Sequence, residues 1–283
     1  MRVGIIGGAN VDITATSART FCTADSNPGH VEVTWGGVAR NIAHNLVLLG
    51  DEVQLLTIFG GGPFAPILMK ACQTTGIQTD YAEIASEDIN SFFVSINDAD
   101  GELIGGVADM HAVDGITPQW LEQRMDAIRN AEVIVADANN SAETLAWIID
   151  HCDVPLYIDA VSMAKAIRIK QAVELSKKKS FFTLKCNALE YPILENIATS
   201  VQRIYVSMGA EGLKIISENT CKTYPALPCN VNNVTGGGDA LLAGIVHAGP
   251  IATIDNTARW GLACARCAVE SPSAVSEEIK LLR

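Results

Sequence analysis

Three glycines, Gly236, Gly237 and Gly238, stand directly before Asp239 in the run NVNNVTGGGDALLAGI, and a Gly-poor apolar stretch follows. Glycine in such a place lets the backbone adopt positive φ or approach a ligand closely. A helix beginning at Asp239 would aim its unpaired N–H groups back at those glycines, which is the geometry of an anion site. A carboxylate beside a bound anion is repelled unless it has chemistry to perform there. Near the other end of the chain, GIIGGANVD (4–12) closes an apolar strand with Asn10 and Asp12, and its glycines leave room for a ligand. Asp12 among apolar neighbours could equally cap a turn. WGGVARNIAHNLVLLG (35–50) repeats the design, with Gly36 and Gly37 ahead of a helix whose first turn carries Arg40 and Asn41. Such a helix start can hold an oxygen-rich ligand, while Asn41 alone reads as well as an ordinary first-turn hydrogen-bonding residue.

These groups need a scaffold. Short runs rich in β-branched residues at 2–9, 52–60, 131–138, 154–161, 179–187 and 203–209 read as buried strands. Helical patterns lie at 38–50, 65–76, 117–131 and 141–152. Continuous apolar strands alternating with helices predict a mostly parallel sheet covered on both faces. Two stretches break the alternation. HVEVTW (30–35) puts Val31, Val33 and Trp35 on one face, and NSFFVSINDADGELIG (90–105) carries a DG turn between extended arms. Both read as half-exposed antiparallel strands. The expected organisation is one domain over 1–283, with lid strands from about 12–35 and 90–107 inserted in it.

Hydrophobic residues make up 48% of the 283 and charged residues 18%, which supplies a sizeable core. The formal charge of −12 argues against binding nucleic acid or an anionic membrane, both of which need basic surface. A nucleotide ligand stays open, since backbone amides and a metal can hold its phosphates. The opening VGIIGGA is too short for a secretory signal and leads into a strand, so a cytoplasmic location with free thiols is expected. The CxxC pair Cys264–Cys267 lies in an apparently buried helix and reads as packing rather than metal chemistry. GIIGGA also invites a dinucleotide-binding reading, but ANVDITATSART lacks the helical periodicity that motif requires.

Together, GGANVD, GGVARNIAHNLVLLG, NALE (187–190), SMGAEG (207–212) and NVTGGGDALLAG (233–244) resemble, in order, the motifs of the ribokinase-like (PfkB) family of sugar and nucleoside kinases. The resemblance covers nearly the whole chain. It implies an α/β three-layer sandwich with a mostly parallel central sheet and a small β-strand lid. It implies phosphoryl transfer from ATP with magnesium, a monovalent cation beside the anion site being left open. By resemblance Asp239 is the base that takes the proton from a primary hydroxyl, and the amides around Gly236, Gly237 and Gly238 face the phosphoryl group. Asn10, Asp12, Gly36, Gly37, Arg40 and Asn41 would bind the sugar, with Asp109 and His111 as further candidates near the base or the lid. Ser207, Gly209, Gly212, Thr235 and Asn187 would serve ATP, and Asn187 with Glu190 would organise magnesium through water. Lid-to-lid pairing is common among such relatives, so a homodimer is expected. No nucleic acid or membrane partner is.

Within the family, GGVARNIAHNL, ADMHAVDGITPQWL (108–121), VIVADANNSAETLAWIID (133–150) and IDAVSMAK (158–165) resemble the branch that phosphorylates pseudouridine more than the ribokinase or adenosine kinase branches. The alternatives are a kinase of another nucleoside or of ribose, and a non-catalytic nucleoside-binding protein. Retention of Asp239, Asn187 and Glu190 weighs against the last. The sequence departs from the family pattern in four places. Gly237 stands where alanine is usual, GGPFAPIL (61–68) lacks an acidic residue common at that turn, and the passages after Glu190 and after Gly244 look compressed.

Overall fold

The computed structural model describes residues 1–86, 89–178, 182–218 and 220–283. The chain starts with strand β1 (Arg2–Ile6) and passes into the lid pair β2 (Asn10–Ser17) and β3 (Gly29–Gly36). Helix α1 (Val38–Leu49), β4 (Glu52–Leu56), the short β5 (Ile58–Phe59), α2 (Phe64–Thr74) and β6 (Glu83–Ile84) follow. The second lid pair is β7 (Phe92–Asn97) and β8 (Leu103–Asp109). Next come α3 (Pro118–Glu122), α4 (Met125–Asn130), β9 (Val133–Asp137), α5 (Ala142–His151), β10 (Leu156–Asp159), α6 (Met163–Leu175) and β11 (Phe182–Asn187). The last part holds α7 (Tyr191–Leu194), β12 (Val201–Ser207), β13 (Leu213–Ser217), β14 (Thr220–Tyr224), α8 (Gly237–His247) and α9 (Ile254–Glu270).

Eight strands form one sheet in the order β14-β13-β12-β11-β10-β9-β1-β4. It is parallel from β12 through β4, while β13 and β14 pair antiparallel at one edge. Alternation along each strand splits the core into two. Ile134, Ala136, Ile158, Leu184 and Cys186 pack against α3 to α7 on one face. Val133, Val135, Tyr157 and Tyr205 pack against α1, α2, α8 and α9 on the other. The same parity continues to the carboxyl ends of the strands. Asp137, Asp159 and Lys185 are register partners on three adjacent strands, on the face covered by α1 and α8. Ligands of open parallel sheets bind at those strand ends.

The lid is a four-stranded sheet in the order β3-β2-β7-β8. Its register aligns Val33, Ile13, Val94 and Val107 in one row, with Val31, Ala15 and Ile96 in the next. Val31, Val33, Val94, Ile96 and Val107 are all exposed. Asp12 and Thr14 point to the opposite face.

Several expected elements divide. The run 52–60 breaks at Thr57, whose hydroxyl donates to Gly7 O at 2.7 Å and ties the turn after β1 to this strand. The helix expected over 117–131 splits where Arg124 turns its guanidinium onto the Trp120 ring, 3.6 Å away. The first three residues of the strand expected at 179–187 lie outside the described residues. After Glu190 the passage is short, as the sequence indicated, yet it closes with Leu194 and Ile197 buried in the core. No described helix is long and apolar enough to cross a membrane.

Candidate active site

Helix α8 begins two residues earlier than the sequence suggested, at Gly237, with Gly236 as its cap at φ 81°. The αL backbone costs a β-carbon strain, and a Cβ on Gly236 would lie 1.9 Å from Ala274 O, so only glycine can turn the chain here. The correction has a consequence for Asp239. It is not the cap but the third residue of the helix, in the first turn. No side chain caps that end; Gly237 N donates to Val234 O at 3.4 Å, and the amides of Gly238 and Asp239 follow it in the first turn, where a helix favours an anion.

Asp239 meets α1. Asn41 Nδ2 donates to Asp239 Oδ2 at 2.9 Å. Burial pushes the Asp239 carboxyl up to about 7, with the Asp159 carboxylate adding to the rise and the Lys185 ammonium and the Asn41 donor opposing it. Asn41 has its amide orientation fixed from behind. Arg40 Nη1 donates to Asn41 Oδ1 at 2.9 Å and to Trp35 O at 2.8 Å. Because guanidinium only donates, Asn41 must offer oxygen to Arg40 and its NH₂ to Asp239. Arg40 Nη2 faces His44 Nδ1 at 3.3 Å, and burial lowers the His44 pKa to about 4, keeping the ring neutral and able to accept. Sequence reasoning placed Arg40 against substrate; here Nη1 and Nη2 face protein acceptors, Nε is buried without a hydrogen-bond partner among the described residues, and the charge reaches both Asp12 and Asp239.

At the root of the lid, Asn10 Nδ2 donates to Asp12 Oδ1. Burial raises the Asp12 carboxyl to about 6 against the lowering pull of Asn10 and Arg40. Gly36, the register partner of Asn10, lies against the Asp12 side chain: a Cβ there would sit 2.1 Å from Asp12 Oδ2, so this glycine keeps the carboxylate's place free. Gly37 caps α1 without a side-chain bond, and the buried Asp137 supplies one from β9. Asp137 accepts from Gly8 N at 3.1 Å and Ala39 N at 3.2 Å, clamping the Gly7–Gly8 turn to the helix start. Those glycines therefore serve packing, and a strand, not a nucleotide-binding helix, follows them.

On the far side of the α8 amide end lies a cleft of about 650 Å³. Ser207, Gly209, Gly212, Gly237 and Gly238 line it, with apolar walls from Leu227, Val234 and Leu262. Thr235 is exposed in the preceding loop and is not part of that lining. Asn187 and Glu190 also stand off the cleft, bonded to each other. Asn187 N and Nδ2 each donate to Glu190 at 2.8 Å, and Asn187 Oδ1 accepts from Glu190 N at 2.9 Å. This is a reciprocal capping box. Asp109 sits at the end of β8, where it accepts from Asn90 Nδ2 at 3.2 Å and pairs with the exposed His111.

Sequence reasoning overlooked the charged strand ends. Lys185 Nζ lies 2.9 Å from Asp159 Oδ2, both buried. From helix α6, Lys165 Nζ donates to Asn139 Oδ1 close to Gly8. The signal was present: a lone Asp or Lys closing an apolar run, as in VIVAD, LYID and FTLK.

The starts of α1 and α8 and the ends of parallel strands thus bring Asn41, Asp239, Asp159 and Lys185 together beside the cleft. The family model for pfkB family carbohydrate kinases matches residues 2–280. Pseudouridine kinase from Escherichia coli (strain K12) is 36% identical over 262 residues, spanning 86% of this chain and 82% of that protein. Pseudouridine kinase from Arabidopsis thaliana is 25% identical over 357 aligned positions, 98% of this chain and 93% of the relative. Among solved structures, Arabidopsis thaliana ribokinase complexed with ribose and ATP superposes with a TM-score of 0.82 at 16% identity, covering 99% of this chain and 97% of that one, a likeness of fold. With its motifs in order and the match running almost end to end, this chain belongs to the pfkB family of carbohydrate kinases.

Proposed function

We propose that this kinase transfers the γ-phosphoryl group of ATP to the 5′-hydroxyl of pseudouridine. The observation that carries the mechanism is the meeting of Asp239 and Asn41 beside the uncapped amide end of α8. A carboxyl at about 7 is half ionised at neutral pH, which suits a general base for an alcohol. Asn41 holds it in place, and Gly237 and Gly238 line the cleft where a triphosphate would lie, with the Gly238 amide as the donor. Asp12, with Asn10, offers acceptors to vicinal sugar hydroxyls, and Gly36 leaves the Asp12 carboxylate the space it occupies. The substrate assignment is supported by the 36% identity to a pseudouridine kinase over most of both chains.

Magnesium fits here as an ion carried in with the nucleotide. Glu190 and Asn187 engage each other, and no cluster of three carboxylate, His or Cys groups that could hold a metal occurs among the described residues. Their remaining lone pairs suit an ion that keeps its own waters. When bound, it would neutralise part of the phosphate charge. The exposed apolar lid face, flanked by edge strands β3 and β8, fits a second copy of the chain, and a homodimer is the proposed assembly.

The test is turnover of the purified protein with ATP, magnesium and a panel of pseudouridine, uridine, adenosine and ribose. Labelling of pseudouridine above the others is expected. Preferential labelling of adenosine or ribose would replace the substrate, and no labelling at all would overturn the reading.

A further inference from the structure

One charged side chain in the site has no part in the reading above. Lys185 lies inside β11, with a side chain only 9% exposed, in ion-pair contact with Asp159, which is 1% exposed. Its ammonium is pressed against the start of α8: a Cβ on Gly238 would lie 2.6 Å from Lys185 Nζ. The third glycine of the triplet is therefore the space that the ammonium fills. This placement is electrostatically awkward for a merely structural lysine. The amino end of a helix is positive, and a second positive charge there is unfavourable without an anion between them. A buried ion pair alone is no stability gain over apolar packing of the same volume. What the ammonium does have is a direct partner in the Asp159 carboxylate, 2.9 Å away, which keeps it fixed against Gly238.

We propose that Lys185 is a catalytic residue, the fixed cation that, with the amide of Gly238, stabilises the phosphoryl group in transit. The inference rests on the kinase reading above. In the step, the substrate oxygen forms a bond to the γ-phosphorus as its proton passes to Asp239. The bond from that phosphorus to the bridging oxygen breaks, and ADP departs with the electron pair. Lys185 keeps its proton throughout and acts by charge alone. Such preorganised charge acts on the transition state more than on the ground state.

The test compares Lys185→Met, Lys185→Arg and the double variant Lys185→Met/Asp159→Leu, which replaces the ion pair by apolar groups. The readouts are kcat and KM for each substrate, pseudouridine affinity by calorimetry, thermal midpoint, and the pH profile of kcat. Both methionine variants are expected to lose about 10²–10³-fold in kcat, with pseudouridine affinity within about threefold of the wild type. The double variant should recover thermal stability but not turnover. Lys185→Met should also move the acid limb of the profile to higher pH, because a charge that holds Asp239 ionised is gone. A double variant turning over within about threefold of wild type would assign Lys185 to folding and overturn the proposal. Wild-type protein inert toward every acceptor would instead sink the kinase reading, and this inference with it.

Discussion

Asn41 Nδ2 donates to Asp239 Oδ2 at 2.9 Å, joining the first turns of two helices 198 positions apart in sequence. The bond stabilises the ionised carboxylate against burial and the nearby Asp159, which together lift its pKa to about 7. A base is active only when deprotonated, so kcat should fall about tenfold per pH unit below that value. Asn41→Ala removes the donor, raises the pKa further, and should shift the acid limb upward by about one unit. A profile unchanged by the substitution would show that the bond does not set the base's ionisation.

Asp239→Asn keeps the shape and removes the base. Turnover should drop by about 10²–10⁴-fold, while calorimetry should show pseudouridine binding little changed. The stability effect has the opposite sign. A carboxyl whose folded pKa is raised binds more protons folded than unfolded between its two pKa values, so its contribution to stability declines as pH rises through that interval. The variant, which has no such group, should gain in thermal midpoint relative to wild type between pH 5 and pH 8.

The two neighbouring glycines should respond differently. Gly236→Ala meets Ala274 O and a left-handed backbone, and should cost about 1–3 kcal/mol, read as a fall in thermal midpoint, with a rise in the KM for ATP. At Gly237 the helix is already regular, and a Cβ would lie 3.0 Å from the tip of Val269, a side chain able to shift. Gly237→Ala should therefore stay within about twofold of wild type in kcat and be slightly more stable, by up to about 1 kcal/mol.

For the lid, Val107→Glu and Val94→Glu place charge in the middle of the exposed row Val33–Ile13–Val94–Val107. If that row is the interface of a homodimer, sedimentation should show a dimer for wild type and a monomer for the double variant. A wild type that sediments as a monomer would remove the assembly from the proposal.

Much of this was legible from residue order. Glycine pairs and triplets before helices marked both helix starts, and strand periodicity gave the parallel sheet. The start of α8 was misplaced because helical geometry before Asp239 depends on Gly236 adopting φ 81°, which composition alone does not dictate. The inward turn of Arg40 was invisible for a different reason. Its partners, Trp35 O and His44, become acceptors only once the lid root and α1 fold together. Asp159 and Lys185 were overlooked because a single ionisable residue in an apolar run looks like a strand end. Their meaning comes from the parallel register that aligns β10 with β11.

Asp12 belongs to β2 and Gly36 to β3, so both stand where the lid leaves the body, and Asp12 Oδ2 fills the space a side chain at position 36 would need. With Asp12 as the proposed sugar ligand, any swing of the flap about that junction would carry part of the grip with it. Grasping the acceptor and shutting out bulk water are then one motion: an empty flap standing ajar holds nothing, and a product must wait for the hinge before it can leave.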